Sequence, residues 1–190
     1  LKSVEKALAF LGEDAVITRD KKILLEADKV ILPGVGAFED AMGKLKKYDL
    51  IDTIKEIVEK GTPFLGICLG LHLLFEESEE TPGVKGLGIL KGKVIKIPED
   101  QGLKVPQIGW NSLKFPNKGK LFKGIKEDSY VYFVHSYYLK AEDESIVTAT
   151  TDYVVNVHAS VEKDNVFACQ FHPEKSSEVG LAILKNFIEL

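Results

Sequence analysis

The chain has 190 residues, 45% hydrophobic and 28% charged, with a formal net charge of −4. That length is enough for one domain with a real core, and the slight acidity without any basic cluster argues against a nucleic-acid partner. No apolar run approaches membrane-spanning length, the start does not read as a signal peptide, and two cysteines are too few for a secreted disulfide framework, which points to a reducing cytoplasm.

The opening run LKSVEKALAFLG predicts a helix, with Val4, Leu8 and Leu11 at helical spacing and Gly12 as its stop. DAVIT (14–18) predicts a short strand, and KVILP (29–33) another that ends in the loop Gly34-Val35-Gly36. Residues 37–60 read as helical with a break near Tyr48; their apolar face includes Met42, Leu45, Ile51, Ile54 and Ile57. TPFLGI (62–67) is a continuous apolar strand of the kind covered on both faces, and residues 69–77 then read as helix. Alternating strand and helix imply a parallel sheet. The period changes after that. GKVIKI, WNSLKF, YVYFVHSYYL, SIVTATT and NVHASV are β-rich, NVFACQF is one more apolar strand, and residues 177–189 close as an amphipathic helix. No linker interrupts the chain, so residues 1–190 are expected to form one α/β domain with an antiparallel or mixed extension.

Cys68 lies in Gly66-Ile67-Cys68-Leu69-Gly70, where the apolar strand meets the following helix. Gly-x-Cys-x-Gly has the form of a nucleophile elbow, whose glycines permit the tight turn and whose helix start favours thiolate. A buried, unreactive cysteine is the alternative, about equally common for such a residue. The segment FACQFHPEKS adds His172 and Glu174, two residues apart. In an extended segment they project to one side, and Pro173 keeps His172 out of the helical region. Glu174 can then hold one imidazole nitrogen while the other faces a nucleophile, the logic of a catalytic triad. The alternative is a turn carrying a surface histidine. Gly34, Val35 and Gly36 directly follow a strand and can offer backbone N–H groups as an oxyanion hole with Leu69 N–H. The loop lacks the third glycine of a dinucleotide fingerprint and the lysine of a P-loop.

Together these elements resemble the class I (triad) glutamine amidotransferases. PGVGAF, PQIGWNSL, YFVHSYY and QFHPEKS are similar to the glutaminase subunits of imidazole glycerol phosphate synthase, in order along nearly the whole chain. The resemblance implies a flavodoxin-like three-layer domain with a central, mostly parallel sheet and a β-rich antiparallel extension. It implies hydrolysis of L-glutamine, with Cys68 as nucleophile, His172 as acid and base, Glu174 orienting His172, and Gly34, Val35, Gly36 and Leu69 as the oxyanion hole. It also implies substrate contacts at His72, Glu80, His135, Ser136 and Tyr137. It further implies no cofactor and a heterodimer with a (β/α)8-barrel cyclase that receives ammonia, docked through Trp110, Asn111, Tyr132 and Lys175. Trp110 and Tyr132 could equally be core aromatics, and Lys175 a solvated charge. A partner-docking module without catalysis, a subunit of another synthase and a stand-alone hydrolase remain alternatives.

Three positions depart from the family pattern. The family has a strand and a glycine-rich loop before a helix like LKSVEKAL, so the first strand is expected to be missing. His72 stands where glutamine is usual, four residues from Cys68 on the same helical face, and a packed helix histidine is the alternative to a substrate contact there; Gln107 stands where histidine is frequent. Cys169 reads as core, and the four histidines and two cysteines lack the spacing of a zinc site.

Overall fold

A computed structural model describes residues 1–99 and 102–190. The first half alternates helix and strand: α1 (Lys2–Phe10), α2 (Lys21–Glu26), β1 (Val30–Gly34), α3 (Phe38–Lys47), α4 (Ile51–Glu59), β2 (Phe64–Cys68) and α5 (Leu69–Leu73). The second half is mostly strand: β3 (Glu77–Ser78), β4 (Gly92–Lys96), β5 (Gln107–Ser112), β6 (Tyr130–His135), β7 (Tyr137–Ala141), β8 (Val147–Tyr153), β9 (Val155–Lys163) and β10 (Val166–Cys169), closed by α6 (Ser177–Ile188).

Eight strands form one mixed sheet in the order β1-β2-β10-β9-β7-β4-β3, with β8 added on β9; β5 and β6 make a separate antiparallel ribbon. β1, β2 and β10 run parallel, so the ends of three neighbouring strands open at one rim. The outer strands β9, β7 and β4 pair antiparallel and extend the sheet beyond that rim.

Side-chain alternation sorts the core into two faces. Val30, Phe64, Val166 and Ala168 pack with α3, α4 and α5. Leu65, Ile67, Phe167 and Cys169 pack with α1 and α6 on the other side. β2 is buried at every position, which is why its sequence is a continuous apolar run. The break near Tyr48 is real: α3 stops at Lys47 and Asp49 adopts φ 54° before α4 starts.

Three local expectations are corrected. Residues 14–18 form no strand. A strand needs a ladder partner, and among the described residues β1 pairs with β2 alone; Ala15, Val16, Ile17 and Thr18 instead line, together with Val30, Ile31 and Pro33 of β1, a cleft of about 1020 Å³. The helix after Cys68 ends at Leu73 rather than near residue 77, because the loop after it captures its carbonyls. Leu87 N–H donates to Leu73 O at 2.8 Å and Ile89 N–H to Leu74 O at 2.9 Å. The run 130–139 divides at Ser136, since β6 pairs with β5 in the ribbon while β7 joins the main sheet. Residues 21–26, unassigned from the sequence, are helical, capped by Asp20, whose carboxylate accepts from Lys22 and Ile23 N–H at 2.9 and 3.1 Å.

Candidate active site

Cys68 is both the last residue of β2 and the cap of α5, at φ 53° and ψ −109°. A non-glycine residue held there stores about 1–3 kcal/mol of strain and persists only where its surroundings over-determine it. The flanking glycines supply that constraint. A β-carbon on Gly70 would lie 1.8 Å from the Leu32 carbonyl oxygen, and one on Gly66 2.8 Å from the Gly70 carbonyl oxygen. Only bare backbone allows α5 to sit this close to β1 and β2. The register sets Gly34 beside Cys68 across the β1–β2 ladder, so the loop Gly34-Val35-Gly36 leaves the sheet next to the cysteine.

β10 is the other neighbour of β2, and its alternation continues past the strand end. Cys169 and Phe171 enter the apolar cluster under α6, where Phe171 packs edge-on against Phe133 at 5.9 Å. Gln170 and His172 therefore point the other way, and the Gln170 amide nitrogen lies 3.8 Å from Cys68 Sγ. Glu174 Oε1 accepts from His172 Nδ1 at 2.8 Å. His172 itself is extended, but Pro173–Lys175 form a 3-10 turn, which corrects the expectation of an extended His-Pro-Glu segment. Ser176 builds that turn: its hydroxyl donates to His172 O at 2.6 Å and accepts from Tyr132 N–H at 2.9 Å. His172 N–H in turn donates to Tyr132 O at 3.0 Å, tying the turn to β6.

The electrostatics separate the histidines. Burial alone would lower the proton affinity of His172, but the neighbouring Cys68 sulfur and the Glu174 carboxylate outweigh it and lift the pKa to about 9. Nε2 has no aligned hydrogen-bond partner, so the approach to the sulfur is looser than a formed hydrogen bond. His72 is held at about 4, because desolvation exceeds the help of its bond to Gln170. His135 is likewise at about 4, lowered mainly by burial and also by His72 and His172, which places all three imidazoles around one region. At neutral pH the arrangement therefore holds one imidazolium, at His172, beside a cysteine. Burial pushes the Cys169 thiol well up, which leaves it inert.

The remaining expected residues fall into two groups. His135 ends β6, its Nδ1 2.8 Å from Tyr137 O and its Nε2 2.8 Å from the Gln107 amide, so it braces the backbone that carries Ser136 and Tyr137. Glu80 uses one carboxylate oxygen to accept from Phe38 N–H at the start of α3, at 3.2 Å. His72 turns its Nε2 to Gln170, at 2.7 Å. The second group lies outside. Trp110 is half exposed and packs edge-on against Tyr132 at 6.1 Å, and Lys175 Nζ stands 6.0 Å above the Tyr132 ring. Asn111 is fastened to β8 through Asp152 O at 2.9 Å. Gln170 and Ser176 were missed by sequence reasoning although both stand in QFHPEKS; a polar side chain beside the His-Pro-Glu run was the available signal. Among the described residues, no group of three or more His, Cys, Asp or Glu is placed to hold a metal ion.

Residues 5–190 match the glutamine amidotransferase class-I family, and the chain belongs to it. Within the family, it is 52% identical over 190 residues to the imidazole glycerol phosphate synthase subunit HisH of Caldanaerobacter subterraneus subsp. tengcongensis, covering all of this chain and 93% of that protein. It is also 52% identical over 188 residues to the HisH subunit of Aquifex aeolicus, covering 98% and 90%. Among solved structures, one described as a glutamine amidotransferase superposes with a TM-score of 0.76 at 24% identity, over 99% of this chain and 92% of that one.

Proposed function

We propose that this chain is the glutaminase subunit of an imidazole glycerol phosphate synthase, a cytoplasmic enzyme of histidine biosynthesis. It hydrolyses L-glutamine to glutamate and ammonia and passes the ammonia to a (β/α)8-barrel cyclase in a heterodimer. One observation carries the reading: a cysteine strained into an elbow lies beside an imidazolium whose far nitrogen is fixed by a buried carboxylate.

Cys68 Sγ attacks the carboxamide carbon, and the oxygen becomes an oxyanion. N–H groups of the Gly34–Gly36 loop and of Leu69 receive that charge, each such donor contributing about 10²- to 10³-fold in rate. The His172 imidazolium gives its proton to the departing nitrogen, so ammonia leaves and a γ-glutamyl thioester remains. The neutral ring then takes a proton from water, which attacks the thioester and releases glutamate and the thiolate. Glu174 keeps the ring in the right tautomer throughout. Glu80 and the backbone at His135, Ser136 and Tyr137 are assigned to the substrate's amino-acid end.

The patch formed by exposed Trp110 and Lys175 over partly buried Tyr132 is assigned to the cyclase. A half-exposed tryptophan packed on a partly buried tyrosine next to a cation is the kind of group that anchors an interface core, and the bond from His172 N–H to Tyr132 O keeps it near the site, which suits a short ammonia path. The test is glutamine hydrolysis measured alone and with the barrel partner. Stimulation by the cyclase, and loss in Cys68→Ala of on the order of 10⁴-fold or more, are expected. Tight docking without any thioester trapped by a glutamine analogue would overturn the catalytic part, and stimulation only by a different synthase would reassign the pathway.

A further inference from the structure

His72 occupies a position that points, by sequence, toward substrate. The structure gives it a different neighbour. Its ring lies buried on α5, and Nε2 is 2.7 Å from Oε1 of Gln170, a residue with no exposed surface. The Gln170 amide nitrogen is then directed at Cys68 Sγ, 3.8 Å away. The three side chains come from α5, the segment after β10, and the elbow, and they form one line.

The chemistry of an amide gives that line a direction. A primary amide has an accepting end and a donating end, and turning it over exchanges them. Facing the sulfur with N–H favours the thiolate; facing it with oxygen favours the thiol and repels the anion. Whichever group holds the far end decides the choice. A neutral imidazole that carries its proton on Nε2 can only donate there, so it takes Oε1 and leaves the NH₂ for the sulfur. We infer that His72 and Gln170 are a positioning pair for Cys68: the His72 Nε2–H fixes the orientation of the Gln170 amide, and that amide donates to the nucleophilic thiolate. His72 thus acts on the reaction through Gln170, not by touching glutamine.

The other groups around the sulfur do not duplicate this. His172 supplies the counter-charge, with Glu174 behind it. Cys169, the remaining thiol, is fully buried and turned into the core below. His135 reaches the region from β6 but spends its ring nitrogens on Tyr137 and Gln107. β1 contributes only backbone at Gly34, opposite Cys68.

The inference rests on the glutaminase reading for its meaning in catalysis, but its first measurement does not need that activity. The rate of Cys68 alkylation by iodoacetamide is followed by mass spectrometry against pH on the full chain, and steady-state glutamine hydrolysis is followed with the cyclase. Gln170→Met keeps the volume without the donor, His72→Leu removes the orienting proton, and His72→Gln keeps a donor at that site. Gln170→Met and His72→Leu are expected to slow alkylation at neutral pH about three- to tenfold, with the high-pH plateau retained. Their hydrolysis loss should fall on kcat, with KM for glutamine within about twofold. His72→Gln should recover most of the rate, and the double variant should be no worse than Gln170→Met alone. An unchanged alkylation profile in folded Gln170→Met overturns the proposal. So does a His72→Leu variant that raises KM while alkylating like the parent, or losses that simply add. Should Gln170→Met not fold, the contrast between His72→Leu and His72→Gln decides alone. Absence of hydrolysis in every form, the parent included, would sink the glutaminase assignment and leave the alkylation result to stand by itself.

Discussion

At the scale of the residue, the site works by giving three histidines different charges in one small volume. His172 at about 9 is protonated at neutral pH, while His72 and His135 at about 4 are not. In the proposed mechanism the protonated ring is the one that gives its proton to the departing amide nitrogen. Glutamine hydrolysis is therefore expected to fall as pH rises through about 9, where that proton is lost; a kcat–pH profile checks it. Glu174→Ala should both lower the pH of this fall, since a source of the upward shift is gone, and reduce kcat on the order of 10⁴-fold. The same histidines make stability depend on pH with two opposite signs. His172 binds its proton more tightly folded than unfolded, so its contribution is complete below the unfolded pKa of about 6.5 and is lost as pH rises toward 9. His72 and His135 bind protons less tightly folded, so stability is lost as pH falls from about 6.5 toward 4. Urea midpoints from these groups should peak near pH 6.5 and decline on both sides, and His172→Gln should remove the alkaline decline only.

At the scale of the element, the reactive geometry depends on helices approaching backbone too closely for any side chain. Gly70 lets α5 meet β1, and Gly180 lets α6 meet the 3-10 turn, where a β-carbon would lie 1.9 Å from the Pro173 carbonyl oxygen. Neither obstacle is a flexible side-chain end, so backbone must move. Gly70→Ala is expected to cost about 3 kcal/mol of stability and to disturb the elbow. Gly180→Ala should cost a similar amount and shift His172 and Glu174, lowering kcat more than it raises KM; denaturation and steady-state kinetics measure the two effects separately. Ser176, fully buried between Tyr132 and His172, pins the same turn; Ser176→Ala takes the hydroxyl acceptor from Tyr132 N–H and leaves His172 O with Lys175 N–H alone of its two donors.

At the scale of the molecule, the sheet gathers residues from distant parts of the chain at one rim, and the β5–β6 ribbon carries an exposed apolar strip beside it. Ile108, Trp110 and Tyr130 are each at least half exposed. If that strip docks the cyclase, Trp110→Ala should weaken the complex by about 2 kcal/mol or more, read by calorimetry, while the thermal midpoint of the free subunit barely changes. Of this strip only Trp110 was named from the sequence, and by resemblance, because alternation alone does not say which face of a two-stranded ribbon a later layer will cover. The core of β2 and β10, by contrast, was legible as continuous apolar runs, since both faces are covered by helices.

By itself the sequence determined which chemistry was available: a cysteine between two glycines, a histidine two residues before a glutamate, and apolar periods that demand a sheet between helices. These are local properties, readable because turn geometry and side-chain period act over a few residues. Tertiary structure decided which of those groups meet. Parallel pairing of β1, β2 and β10 brings Cys68 and the residues after Cys169 to one rim, and packing of α5 against that rim turns His72 onto Gln170. Residues 14–18 failed as a strand for the same reason, because a ladder is made between segments and no segment contains its own partner.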